Sequence, residues 1–255
     1  MLRNRLQYGP WQIYSVRSAS ETHTLMKRVL DGTERDILKK DHNSLVYCIE
    51  HDGERLVVKS PTARNRRWQD RATSLWRKSK AWRAWQGMVL LQEMGIVVPE
   101  PILVAERRCC GILTNSFILY VYADGEPVTA ADAPAIDSLL AHLHGQGYLR
   151  HDASTHNFLR HKEHIIMIDT TLHRPWFFPR SRGLLEHWNF RRDTPEAWYA
   201  FYQNAVPRSH LLLLAWIGRS RDALHARRHR LKKRIRTTPP LTLTLETREN
   251  TKIRD

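Results

Sequence analysis

The sequence predicts an α+β fold in two lobes: a small antiparallel-sheet N-lobe with one main helix, then a mostly helical C-lobe. Three observations carry this expectation. Short β-prone runs fill residues 9–60. Trp68, Ala72, Leu75, Trp76, Trp82, Trp85, Val89 and Leu90 then recur at helical spacing. Beyond Ala123-Asp124-Gly125-Glu126-Pro127, a natural link, the patterning is helical again. At 255 residues and 42% apolar content the chain can bury such a core. The expected division is an N-lobe over 1–122, a C-lobe over 123–236 and a loose tail over 237–255, where apolar periodicity fades.

Residues 9–60 read as strands and turns. Trp11, Ile13, Tyr14 and Val16 open a β-prone start. Leu45-Val46-Tyr47-Cys48-Ile49 is a strand, His51-Asp52-Gly53-Glu54 a tight turn, and Leu56-Val57-Val58-Lys59 the returning strand. The helical pattern runs over 62–94, and Gly95, Pro99 and Pro101 stop it. Ile102–Ala105 and Phe117–Tyr122 are two further strands, joined through Cys109-Cys110-Gly111. Helix is expected over 130–146 and over much of 183–235.

Lys and Arg number 41 against 26 Asp and Glu, a formal net charge of +15 with a pI near 10.2. Such a surface favours polyanions. Two basic runs hold much of the excess, Arg64–Lys80 with interleaved tryptophans and Arg219–Arg236 after the apolar run Leu211–Ile217. Docking on anionic headgroups is the preferred reading, with Trp and Leu at the interface and Arg and Lys on phosphates; nucleic acid is compatible but less favoured. The three cysteines, Cys48, Cys109 and Cys110, are odd in number and include an adjacent pair, which fits a reducing compartment. The N-terminus lacks the apolar core of a signal peptide, and no apolar run approaches the roughly 20 residues that span a bilayer. The expectation is a cytoplasmic chain, at most peripheral on a membrane.

The chemistry is concentrated in His151-Asp152-Ala153-Ser154-Thr155-His156-Asn157, followed by the apolar run Ile165–Ile168 and Asp169. An acid, four residues, an Asn, a short strand and a second acid make the layout of a phosphotransferase site. Asp152 would take the proton of an attacking hydroxyl. Asn157 and Asp169 would offer oxygens to Mg²⁺, which keeps several waters and needs few side chains. Lys59, ending its hairpin strand, would reach the phosphates of ATP, and the adenine would lie near Val121–Ala123, its edge bonded to backbone there. Two parts of this layout are weak. The connection Lys39–Ser44, where a phosphate-covering loop belongs, has no glycine, and only Glu93 or Gln86 offers the main helix a partner for Lys59. The histidine pairs His142/His144, His151/His156 and His161/His164 lack metal-ligand spacing and read as structural or surface residues.

These residues resemble the lipopolysaccharide core heptose(II) kinase family, the RfaY/WaaY type, within the protein-kinase-like fold. The resemblance rests on Val57-Val58-Lys59 with Ala63-Arg64-Asn65-Arg66-Arg67, on Gly95-Ile96-Val97-Val98-Pro99-Glu100-Pro101, on Tyr122-Ala123-Asp124-Gly125, and on His151-Asp152 through Asn157-Phe158 to Ile168-Asp169, and it covers about residues 8–236. It implies ATP- and Mg²⁺-dependent phosphorylation of an inner-core heptose, with the glycolipid as acceptor, at the inner face of the inner membrane. By position it gives Lys59 the phosphates, Asp152 the role of base, and Asn157 and Asp169 the metal. Arg150-His151 stands where sugar kinases usually carry His-Gly before the base, and is expected to reshape the acceptor side of the loop. The alternatives are a kinase of another core sugar such as Kdo, an atypical RIO-like protein kinase, and a polyanion-binding pseudokinase.

Overall fold

The structure is a computed structural model that describes residues 4–32, 35–41, 44–61, 73–150 and 154–176, with single positions from Arg182 to Ala223. Its centre is a seven-stranded antiparallel sheet. In chain order the strands are β1 (Asn4–Tyr8), β2 (Trp11–Ser15), β3 (Asp36–Lys40), β4 (Ser44–His51), β5 (Glu54–Pro61), β6 (Pro101–Cys109) and β7 (Ile112–Val121). Their spatial order is β1-β2-β6-β7-β5-β4-β3. The predicted Asp-Gly turn is present. Asp52 and Gly53 lie at φ +50° and +78°, the left-handed pair that a two-residue hairpin needs to match strand twist.

Residues 9–60 are not all strand and turn. Ala19–Asp31 forms a helix, α1, between β2 and β3. Ser18 caps it by accepting from the Glu21 amide at 3.3 Å, and Gly32 ends it at φ +70°. Thr22, Leu25, Met26 and Val29 recur at helical spacing on its buried face. That face meets Ile13, Leu56, Val58, Leu103 and Leu119 from one side of the sheet.

The helix predicted over 62–94 is interrupted at Leu75–Ser79. α2 spans Lys80–Glu93, and Ser79 caps it by accepting from the Trp82 amide at 2.9 Å. Ahead of it Thr73 and Ser74 are helical and Leu75–Ser79 breaks the helix as turn and bend, while residues 62–72 lie outside the described chain. Trp82, Trp85, Met88 and Leu91 of α2 pack on the other sheet face, against Cys48, Val57, Ile118 and Tyr120. Lys59 lies two residues beyond Val57, so strand alternation gives it the same face.

Past the link, α3 (Ala133–Gly145) buries Ile136, Leu140 and Leu143 in that same cluster. Two small antiparallel pieces follow. β9 (Leu149–Arg150) pairs with β12 (Leu172–His173), and β10 (Phe158–His161) lies between β11 (His164–Met167) and β8 (Glu126–Pro127). The helical expectation for 183–235 falls almost wholly outside the described residues, as does the 237–255 tail. Among the described residues no helix is long and apolar enough to cross a membrane.

Candidate active site

The small β10–β11 hairpin places the two metal-ligand candidates side by side. Asn157 ends a single 3₁₀ turn, Thr155–Asn157, and its carbonyl accepts from the Ile168 amide at 3.0 Å. That bond closes the base of the hairpin and sets Asn157 beside the residue preceding Asp169. Across from them Lys59 Nζ stands 3.9 Å from Asp169 Oδ1, both side chains about one-third exposed. Three predicted site residues from separate stretches of sequence therefore converge: Lys59, Asn157 and Asp169. Asp152 and His151 lie outside the described residues.

Asp169 is held by its neighbours on three sides. Arg150 Nη2 donates to its carbonyl oxygen at 2.8 Å, and Thr171 Oγ1 reaches its carboxylate at 3.5 Å. The next residue, Thr170, is fully buried and donates from its hydroxyl to the Ala84 carbonyl of α2 at 2.8 Å. Gly87, one helical turn further on, lies against Thr170 so closely that a Cβ there would overlap the Thr170 carbonyl oxygen. The helix and the Asp169 segment touch backbone to backbone.

This contact bears on the missing helix acid. Glu93 and Gln86 are both exposed, and the ion pair the structure gives Lys59 is with Asp169. Among the described residues, Gly87, Ala84 and Thr170 fix α2 against the Asp169 segment.

Arg150 turns inward: its guanidinium is buried, 4.6 Å above the Phe158 ring, with its Nη2 on the Asp169 carbonyl. Its own amide donates to both oxygens of Glu186 at 2.9 Å, and the same carboxylate meets His144 Nε2 at 3.1 Å. His187 stacks edge-on against His144 at 4.6 Å between centroids, with its Nδ1 3.0 Å from Asp137 Oδ1. Burial holds the His187 imidazolium below its ordinary range, Asp137 opposes that, and His144 adds to it. His144 is thus structural. His161 Nδ1 contacts the Asp124 carbonyl at 2.8 Å, and no group of three His, Cys, Asp or Glu side chains among the described residues could hold a metal.

At the link, Val121 and Ala123 are half-buried and line one cavity of about 240 Å³ with Val98, Pro99, Tyr122 and Ile166. Its walls include neither Lys59 nor Asp169. The Val121 amide donates to the Glu100 carbonyl at 2.9 Å and the Tyr122 amide to the Arg55 carbonyl at 2.8 Å. Tyr120, just before them, is buried in the cluster under α2. Burial pushes its phenol well above the usual range, and the Asp169 carboxylate adds to the effect, so the hydroxyl stays protonated at physiological pH. Within the glycine-free stretch Lys39–Ser44, the Asp41 amide donates to the Ser44 carbonyl at 3.0 Å and its carboxylate accepts from the Ser44 amide at 2.7 Å.

The donor set suits a hard cation. Asn157 and Asp169 offer an amide and a carboxylate oxygen as hard ligands, and the Asp169 carboxylate is partly exposed.

No protein-family model and no curated protein sequence matches this chain. Among solved structures it is similar to WaaP in complex with acyl carrier protein, at 16% identity over 77% of this chain and 91% of that one, with a TM-score of 0.53. The PknI kinase domain of Mycobacterium tuberculosis aligns over 53% of this chain and 57% of its own, at 17% identity and a TM-score of 0.33, a likeness on which nothing below rests. The antiparallel sheet and the helix packed beneath it agree with the WaaP likeness: the described part of the chain has an α+β, kinase-like fold.

Proposed function

We propose that this chain is an ATP- and Mg²⁺-dependent kinase that phosphorylates a heptose hydroxyl in the inner core of lipopolysaccharide. The observation that carries the reading is the 3.9 Å approach of Lys59 Nζ to Asp169 Oδ1, with Asn157 tied beside them through Ile168. A lysine and two oxygen ligands gathered at one cleft are what phosphoryl transfer asks of a protein, since the work is positioning and charge neutralisation.

In this reading Lys59 pairs with nonbridging phosphate oxygens of ATP. Mg²⁺, held by Asn157 and Asp169, would neutralise charge on the transferring group. Asp152 accepts the proton of the heptose hydroxyl as that oxygen bonds to the γ-phosphorus and the bond to the bridging oxygen breaks, releasing ADP. Arg150, through the Asp169 carbonyl, fixes where the carboxylate points. The Val121 amide is committed to Glu100, so the adenine edge would meet Ala123 instead. The excess of positive charge suits an anionic glycolipid acceptor at the cytoplasmic membrane surface.

Mass spectrometry of lipopolysaccharide core from cells with and without the gene tests the proposal. Loss of one phosphate from a heptose is the expected result. An unchanged core, or a phosphate lost from Kdo, refutes it. In vitro, labelled ATP with purified core should be consumed by the wild-type chain and not by Asp152→Asn.

A further inference from the structure

We propose that the surface around Trp76 is the membrane-docking face of this chain, and that its partner is the anionic headgroup layer of a bilayer. The proposal deepens the membrane half of the reading above and rests on it for its biological setting; the geometry behind it is independent of the catalytic residues.

Trp76 is 83% exposed and its neighbour Leu75 45% exposed. A solitary exposed aromatic is unremarkable on a floppy loop. This one stands on a segment tied down along its length. The Trp76 and Arg77 amides close a helical turn on the Thr73 carbonyl. Arg108 donates to the carbonyls of Ser74 at 2.7 Å, of Arg77 at 3.2 Å and of Gly111 at 3.0 Å. Ser74 Oγ accepts from the Leu113 amide at 3.0 Å, and the Ser79 amide donates to the buried Glu106 carboxylate at 3.0 Å. Arg108 in turn pairs with Glu106 at 3.2 Å. A buried acid, its arginine and two buried serines thus lock seven residues to the tip of the β6–β7 hairpin, and the locked piece directs Trp76 into water, with Leu75 half-exposed beside Gly111. Ordering such a segment costs conformational entropy that exposed apolar groups do not return in solution.

The rim identifies the partner. Arg77 and Lys78 follow Trp76 and are exposed, the Lys78 ammonium lying 4.7 Å over the Trp82 ring. Among residues 62–80 the only acid is Asp70. An aromatic and a leucine set among cations match the boundary between acyl chains and anionic headgroups, where the indole sits at headgroup depth and the cations meet phosphates. An acidic protein could satisfy the cations, and the test separates it from a bilayer.

The test is cosedimentation of the full chain, without nucleotide, with vesicles of phosphatidylglycerol and phosphatidylcholine, against vesicles of phosphatidylcholine alone. The expected result is binding to the anionic vesicles that salt weakens. Trp76→Ser should reduce affinity by about tenfold. Arg77→Gln and Lys78→Gln should each reduce it by about fivefold. Because Trp76 is exposed, the melting temperature of Trp76→Ser should match wild type, so weaker binding cannot be put down to unfolding. Trp176→Ser, at a residue 91% exposed but far along the chain, is the control and should bind as wild type. Unchanged binding by Trp76→Ser, equal binding to neutral vesicles, or Trp76-dependent capture of an acidic protein without vesicle binding would each overturn the proposal. The readout involves no phosphotransfer, so its failure and that of the kinase reading are distinguishable.

Discussion

Gly87→Ala probes the backbone contact between α2 and the Asp169 segment. Two effects oppose each other. In the middle of a helix alanine is preferred to glycine by about 1 kcal/mol, so on helix propensity alone the variant should gain stability. The new Cβ, however, would overlap the Thr170 carbonyl oxygen, which is backbone and cannot rotate away. Thr170 is further pinned by its hydroxyl on the Ala84 carbonyl, 2.8 Å away on the same helix. Overpacking of this kind costs about 1–3 kcal/mol, and a rigid obstacle favours the upper end. Subtracting the propensity gain leaves a net loss of about 2 kcal/mol, or about 4–8 °C in melting temperature for a chain this size. Thermal denaturation followed by circular dichroism measures it. Gly145 supplies the internal control: it is helical, nothing lies within 4 Å of its added Cβ, and Gly145→Ala should gain up to about 1 kcal/mol. Relief of the Gly87 overlap requires the helix to shift from Asp169, so Mg²⁺-dependent nucleotide binding should weaken as well. If Gly87→Ala melts at or above wild type, as Gly145→Ala should, the close approach is not a feature of the folded protein and the account of how α2 is positioned fails.

Arg150→Met should leave the Asp169 carbonyl without its donor, costing about 1–3 kcal/mol and weakening the thermal shift given by Mg²⁺ and an ATP analogue; a wild-type shift would show that Arg150 does not position Asp169. His187, whose pKa is lowered mainly by burial, gives a signed pH effect. The unfolded chain binds the proton more readily, so stability is intact above the ordinary value of 6.5 and falls as pH drops below it. Melting temperature should therefore decline from pH 7 toward pH 5, His187→Gln should flatten that decline, and an equally steep profile in the variant would remove His187 as its cause.

The parts of the site legible in the sequence are those defined by short-range order. The hairpin that delivers Lys59 announces itself through Asp52-Gly53, and the Asn157–Asp169 spacing encloses one small hairpin. The parts that escaped depend on distant partners. Nothing local marks Gly87 as a contact, because the atom it avoids belongs to Thr170. The inward course of Arg150 depends likewise on distant partners, Glu186 and the Asp169 carbonyl. α1 was legible in principle: Ser18, a buried face at positions 22, 25, 26 and 29, and Gly32 make a capped helix, which the surrounding β-prone runs obscured.

The stretch after Tyr122 is fastened at both ends rather than strung loosely. Past Tyr122 the chain is quickly stitched to the second half: His161 takes the Asp124 carbonyl, and Gly125 lies where a Cβ would crowd Leu159 and the Arg160 carbonyl. Glu126 then pairs with Arg160 in the β8–β10 ladder and through a 2.8 Å ion pair. On the other side the Tyr122 amide is fastened to β5. Torsional freedom between the two anchorages is confined to the few bonds from Tyr122 to Asp124. With the Gly87–Thr170 contact as a second fastening, this short link sets the register in which Lys59 and Asp169 meet.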